Sequence, residues 1–476
     1  MRIRVVTYNL AQQQPSEAAI RALVAPDHHQ QQPGDEDKPF DVLVVGVEEH
    51  TPFLDAMRTS TLHTTSGNGE NSDALLSPNL LRLVQGIDRE LTPQAKRIAA
   101  AEHGAVGIAV WMRSTCPHPI SVVSLAKVGI GLTAMSNKSA AGVVLAIGAG
   151  SGQTVTSAFV CAHLAAGTHS TRLRNSNFRD IVSRLLFPGL PGLTLFHCDA
   201  AFVLGDLNYR APPPLPRSYQ RSVGEAAGGS PHELGAAPED AGSPTNPGAT
   251  IYLQERDWRK RLESDQLQKE MMCGRTLPGF TEPAIHFPPT YKLDTSVTDA
   301  VNADAGACAG PYTGRRHPSW CDRIVFYTRT PSAVRSVKSW LAAAHSSERA
   351  QEPTAHLRGS PSGNDSAAEH NPPPITCMRY STQNVAGSDH LPVAGTFDVN
   401  VERLYDICQQ PAASLPDFVD QYWMYSRLYW QLFGVAADRI AGTAYTALTD
   451  TTSLSVCIAV LASMVGYYCV FGPTGG

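Results

Sequence analysis

Short apolar runs that end abruptly in polar residues organise this chain. Ile3–Tyr8 runs into Asn9, Val42–Val47 into Glu48 and Glu49, Ala158–Ala162 into His163, and Phe202–Leu204 through Gly205 into Asp206. A fifth run, IVFYT, leaves Trp320-Cys321-Asp322-Arg323. Runs of this length, bounded by turn residues, predict buried strands, although apolar content alone fits a buried helix segment as well. Between some of them the period becomes helical, in NLLRLVQGIDREL at 79–91 and DWRKRLESDQLQKEMM at 257–272. The layout predicts a strand-rich, layered α/β domain with its polar residues gathered at one rim.

Three stretches interrupt this pattern: 26–39, 211–250 and 345–374. The second, opening APPPLPRSYQ, and the third, ending in Pro372-Pro373-Pro374, offer little to bury. Strand-like segments resume after each, so they read as surface excursions from one domain over residues 1–400. Residues 401–450, with YWMYSRLYWQLF, read as a helical, aromatic stalk. After Asp450 no charged side chain follows, and SLSVCIAVLASMVGYYCVF runs from Ser453 to Phe471. As a helix it would reach roughly 28 Å, close to the hydrocarbon thickness of a bilayer. Residues 451–472 are therefore a candidate transmembrane anchor. The alternative is a last helix docked on the domain, since the run contains Ser, Gly and Cys and lacks flanking Lys or Arg.

Composition narrows the function classes. The 476 residues, 42% of them hydrophobic, are ample for a large core. A net charge of −5 argues against a general nucleic-acid binder, so any grip on phosphate must come from local clusters. Ten cysteines without a CxxC pair, behind an N-terminal MRIRVVTYN that reads as a strand, fit reduced thiols and a cytoplasmic catalytic part.

FVLGDLNYR at 202–210 crowds Asp206, Asn208 and Arg210 behind a core strand. Taken singly, such clusters are weak. Glu48-Glu49 has the look of a solvated strand end, His163 of a satisfied core histidine, and SDH at 388–390 of an Asx turn. Together, carboxylates, amides and histidines recur at strand ends throughout the chain. Oxygen ligands of this kind suit a hard cation such as Mg²⁺, and phosphate hydrolysis further needs a placed water and donors to the non-bridging oxygens.

In that order, the motifs resemble those of the inositol polyphosphate 5-phosphatases, within the endonuclease/exonuclease/phosphatase superfamily. The specific pieces are FVLGDLNYR, FPPTYK at 287–292 and RHPSWCDRIVF at 316–326. Supporting pieces are TYN at 7–9, GVEE at 46–49, SNKSAAG at 136–142, AHLAAG at 162–167, RNSNF at 174–178 and SDHLPV at 388–393. The resemblance implies a four-layer α/β sandwich of two packed mixed β-sheets flanked by helices, the DNase I-like fold, here followed by the helical tail. It implies a single Mg²⁺ held by Glu49 with Asn9 nearby. Asp206 would deprotonate the attacking water with Asn208 fixing its position, and His390 would bind the phosphoryl group, held by Asp322. Asp389 would lie next to the metal and His163 would donate to a phosphate oxygen. Tyr291, Lys292 and Arg316 would contact the neighbouring 4-phosphate, and Asn137 and Lys138 would add substrate contacts.

Some positions depart from the family. Glu48-Glu49 stands where relatives usually carry Gln-Glu, which predicts an extra carboxylate beside the metal. GNKG has become Ser136-Asn137-Lys138-Ser139, and Gly314 replaces a frequent lysine. The expected activity is removal of the 5-phosphate from phosphatidylinositol 4,5-bisphosphate, the lipid being favoured by the apolar tail. A soluble inositol polyphosphate 5-phosphatase, a nuclease of the same fold and an inactive membrane-anchored adaptor are the alternatives. The acidic balance and PTYK speak against the nuclease.

Overall fold

Continuous apolar runs become strands here because they are buried on both faces. The first sheet comprises β1 (Arg2–Asn9), β2 (Val42–Glu48), β3 (Ala95–His103), β4 (Val106–Arg113), β13 (Ile375–Thr382) and β14 (Val393–Val399), in the spatial order β13-β14-β1-β2-β4-β3. The second comprises β5 (Ile120–Gly129), β6 (Ser139–Ala149), β7 (Gln153–His163), β8 (Ala200–Asp206), β10 (Phe280–Thr281) and β12 (Asp322–Thr328), in the order β10-β12-β8-β7-β6-β5. A separate antiparallel ribbon pairs β9 (Thr250–Gln254) with β11 (Cys308–Thr313). Both sheets are mixed, with β1 parallel to β2 and β7 parallel to β8. The structure is a computed structural model that describes residues 1–25, 39–58, 73, 76–150, 152–187, 194–212, 250–296, 308–314, 316–346, 372–383, 385–410, 430 and 432–443.

The sheets face each other across one core. Val5, Val44 and Ile108 come from the first sheet, and Val143, Phe159 and Leu204 from the second. Phe202 stacks on Phe159 with centroids 5.1 Å apart and meets Phe397 of the opposite sheet edge-on at 5.1 Å. Beyond α1 (Glu17–Val24) comes a short α2 (Phe53–Arg58), then α3 (Pro78–Leu91). Leu23 of α1 and Leu83 and Ile87 of α3 cover Leu43, Val45 and Trp111 on the outside of the first sheet. Phe178 and Ile181 of α4 (Thr171–Arg184) cover Val160 and Val203 outside the second. The result is the expected four layers, helix, sheet, sheet, helix.

Helix α3 starts where a Ser-Pro pair predicts it, with Ser77 Oγ accepting the Leu80 N–H and Pro78 in the first turn. The single helix expected over 257–272 is two, α5 (Glu255–Leu262) and α6 (Gln266–Met272). Asp265 causes the break. One of its oxygens caps α6 by accepting the Gln268 N–H at 2.9 Å, and the other takes Arg323 Nη1 at 3.0 Å. Behind α7 (Pro331–Ser346) and the last strands, α8 (Val401–Cys408) buries Val401, Leu404 and Cys408 in the inter-sheet core. A further helical stretch, 432–443, lies against the loop between β5 and β6. Where it is described, the stretch expected to be a stalk thus folds back onto the domain.

No helix among the described residues is long and apolar enough to cross a membrane. The run from Ser453 to Phe471 lies outside them, as does most of the three excursions.

Candidate active site

Topology brings the polar strand ends to one rim. β1, β2, β7 and β8 finish there, and β12, antiparallel to β8, begins there with Asp322 directly opposite Asp206. The backbone at this rim is unusual. Glu49 and Asn208 adopt φ of +50° and +57°, in the left-handed region that non-glycine residues seldom occupy. Gly205, at φ +137°, has no alternative, because a Cβ there would lie 2.0 Å from the Ala162 carbonyl oxygen.

Asp206 is the hub. Its Oδ2 accepts the Asn9 amide Nδ2 at 3.0 Å, and its Oδ1 accepts the Asn208 backbone N–H at 3.1 Å. His163 Nε2 lies 3.4 Å from Asp206 Oδ2, 3.9 Å from Glu49 Oε1 and 2.5 Å from Lys138 Nζ. On the other side, His390 Nδ1 sits 2.9 Å from Asp322 Oδ2, which also accepts the Thr290 hydroxyl at 2.6 Å. Lys292 Nζ pairs with Asp389 Oδ2 at 2.6 Å and lies over the Tyr291 ring, 5.6 Å from its centroid. The Tyr291 ring packs on His390, with centroids 4.5 Å apart. The named catalytic and metal residues therefore converge. Asn137 and Arg316 are exposed at the margin, where the Arg316 charge is felt by Lys292.

Charge state follows from burial and neighbours. Burial pushes against a charged His390 imidazole, but Asp322, Asp206 and Asp389 outweigh it and raise the pKa to about 9. His163 goes the other way, held well below the usual range by burial and then by the Lys138, His390 and Arg210 charges. Burial raises the Asp206 carboxyl, with the His390 charge opposing it. The site thus holds a neutral imidazole and a charged one on either side of Asp206.

Several supports make contacts that their motifs do not announce. Ser388 donates its hydroxyl to the Asn9 carbonyl at 2.6 Å and accepts the His390 N–H at 3.1 Å, tying the first strand to the SDH turn. Thr290 steadies Asp322, and Arg210 donates to Asn208 Oδ1 while lying over the Tyr291 ring. With its amide also donated to Leu164 O, the Asn208 side chain is fully engaged, so it fixes Asp206 through its backbone N–H. Glu48 corrects an expectation. It is wholly buried, its Oε1 accepting the Thr7 hydroxyl and the Cys161 thiol at 3.0 Å each, and it faces the core instead of the metal site.

The donor chemistry fits a hard divalent cation. Asp206, Asp322 and His390 offer ligand atoms within 4.8 Å of one another, but Asp322 and His390 are spent on each other. Glu49 is different: its carboxylate is 36% exposed and reaches the Asp206–His163 cluster from the open side. Asn9 Oδ1, which accepts the Ala11 N–H, adds a second oxygen there. Burial keeps the nearby Cys161 and Cys321 thiols protonated, so a soft-metal site is disfavoured.

Several known proteins are similar to this chain. Among curated proteins, the chain is 29% identical over 249 residues to a type IV inositol polyphosphate 5-phosphatase of Arabidopsis thaliana, covering 51% of this chain and 31% of that protein. It is 24% identical over 374 residues to human synaptojanin-2, covering 78% of this chain and 20% of that protein. The chain therefore spans a third or less of the length of either relative. A crystal structure of the inositol polyphosphate 5-phosphatase domain of SPsynaptojanin, with inositol (1,4)-bisphosphate and a calcium ion, aligns over 90% of this chain and 92% of its own at 18% identity and a TM-score of 0.48. The profile of endonuclease/exonuclease/phosphatase family 2 matches residues 6–227 and 243–396, a span that contains every side chain of the cluster from Asn9 to His390. On that match and that cluster together, the chain belongs to endonuclease/exonuclease/phosphatase family 2.

Proposed function

We propose that this chain is a magnesium-dependent phosphomonoesterase that removes the 5-phosphate of phosphatidylinositol 4,5-bisphosphate by direct attack of water. The observation that carries the reading is the pairing of Asp206, doubly anchored by Asn9 and Asn208, with a charged His390–Asp322 dyad across one β8–β12 register position. Relatives named as inositol polyphosphate 5-phosphatases support it.

Magnesium, held by Glu49 with Asn9 beside it, would supply positive charge against the phosphate oxygens. Asp206 takes the proton from the attacking water, its raised pKa suiting it to a base role. His390, charged by Asp322, donates to the phosphoryl oxygens, and Lys138, held against His163, brings a further positive charge to the other side of Asp206. Water's oxygen bonds to phosphorus, the bond from phosphorus to the ring oxygen breaks, that oxygen takes up a proton from solvent, and inorganic phosphate leaves with no covalent enzyme intermediate. Tyr291, Lys292 and Arg316 hold the neighbouring ring phosphate, which stays charged throughout. For Lys292 this means exchanging Asp389 for substrate.

The lipid reading rests on the uncharged run from Ser453 to Phe471, which would anchor the chain to a membrane with the catalytic domain in the cytoplasm. The 476-residue chain on vesicles containing the lipid is expected to release phosphate in Mg²⁺, to leave phosphatidylinositol 4-phosphate, and to stop in chelator. Asp206→Ala should lower turnover by about 10²-fold or more. Retained turnover in that variant, or phosphatidylinositol 5-phosphate as product, would overturn the mechanism or the regiochemistry. Faster turnover of soluble inositol 1,4,5-trisphosphate would move the substrate off the membrane.

A further inference from the structure

Lys138 owes its place in the site to the loop between β5 and β6, and that loop is gripped from outside the catalytic layers. The loop closes on itself through Ile130 N–H to Lys138 O at 2.7 Å and Gly131 N–H to Met135 O at 3.0 Å. At its base, the Ser139 hydroxyl donates to His103 O at 2.7 Å. Its outer side meets the helical stretch 432–443. There the Ser136 N–H points at the Asp438 carboxylate, 3.1 Å from each oxygen. Asp438 is fully buried, on a helix face that also buries Gly434, Ala437 and Gly442. A Cβ at Gly434 would lie 2.3 Å from the carbonyl oxygen of Ala134, so the helix backbone rests directly on the loop.

A buried carboxylate is costly unless hydrogen-bonded, and generic helix docking would be served better by an apolar residue. Asp438 instead takes a specific backbone N–H, two residues from Lys138. Small neighbours on the same face bring it close enough to do so. Ala134 itself is held in the left-handed region at φ +61°, a conformation that its surroundings must maintain.

We propose that helix 432–443 is a positioning element of the active site: Asp438 and Gly434 hold the 131–138 loop in the shape that places Lys138 on His163. The inference rests on the phosphatase reading for its kinetic arm only. The helix lies 302 residues from the loop it holds, outside the span matched by the family profile. The reshaped Ser136-Asn137-Lys138-Ser139 sequence is accordingly completed by a segment of this chain's own.

The 476-residue chain as wild type, Asp438→Ala, Asp438→Asn, Gly434→Ala and Lys138→Ala tests the proposal by amide exchange and by turnover. Asp438→Ala should speed exchange of the 131–138 amides tenfold or more, and Asp438→Asn, which keeps an acceptor, should restore most of the protection. In turnover, Asp438→Ala should lose about as much kcat/KM as Lys138→Ala, and the double variant should lose little more than either. Gly434→Ala separates docking from folding. Alanine favours the helix itself but sets a Cβ against the Ala134 carbonyl, so a loss of loop protection in this variant marks the contact as the cause. Unchanged exchange in both Asp438→Ala and Gly434→Ala, or a double variant whose losses simply multiply, would overturn the proposal. Absence of turnover in wild type would remove the phosphatase reading and leave the exchange measurement to decide this one.

Discussion

His390 shows how single residues set the chemistry. Burial would discharge its imidazole, and only the surrounding carboxylates, Asp322 foremost, hold the proton on up to about pH 9. Its folded pKa lies above the value near 6.5 of a free histidine, so the interaction stabilises the fold fully below that value and is lost as pH rises through about 9. In metal-free protein, imidazole resonances should titrate near 9, and Asp322→Asn should pull the midpoint down; an unmoved midpoint would mean that Asp322 does not set the charge. Convergence of Asn9, Glu49, His163, Asp206 and His390 was legible because each follows an apolar run or sits in a compact motif. Ser388 and Thr290 stood in the motifs SDHLPV and FPPTYK without the bonds they make there being legible, and Asp438 stood in no motif. They act on a backbone group or carboxylate far away in sequence, and nothing local marks a serine or aspartate that will do so.

Strand geometry decides which of two adjacent carboxylates can reach the rim. Glu48, the last residue of β2, points between the sheets at Cys161, whereas Glu49 leaves the strand at φ +50°, and that turn brings its carboxylate to the open side of the cluster. GVEE could not be divided in the sequence, because nothing in it marks the left-handed turn at Glu49. Burial lifts the Glu48 carboxyl to about 8, with Asp322 and Asp206 adding to the rise against its bonds from Cys161 and Thr7. A carboxyl raised in this way favours the fold fully below its unfolded value and loses that contribution as pH rises through about 8. Glu48→Gln keeps the hydrogen bonds without the charge. Its melting temperature is expected to match wild type at pH 5 and exceed it at pH 9, and equal curves would place the proton elsewhere. The end of β8 makes a second demand on geometry. Gly205→Ala would set a Cβ against Ala162 O in a strained φ, and is expected to cost about 3 kcal/mol or more in a denaturant melt.

At the scale of the whole molecule, the two roles proposed for segments beyond the sheets, tether and grip, can be separated by where the chain is cut. The four layers end with α8, whose Val401, Leu404 and Cys408 belong to the inter-sheet core. A chain ending at 410 therefore keeps the core but loses the helix over 432–443 and the uncharged run behind it. A chain ending at 450 keeps that helix and loses only the run. If the run tethers the enzyme, its removal leaves the pocket unchanged and lowers only the local concentration of substrate, an effect that can reach about 10²-fold or more. The chain ending at 450 should then lose turnover on phosphatidylinositol 4,5-bisphosphate vesicles while retaining it on soluble inositol 1,4,5-trisphosphate. The chain ending at 410 should lose turnover on both, because the loop bearing Lys138 is no longer gripped by Asp438. Equal vesicle turnover by the full chain and the chain ending at 450 would remove the tether, and undiminished headgroup turnover by the shorter chain would remove the grip.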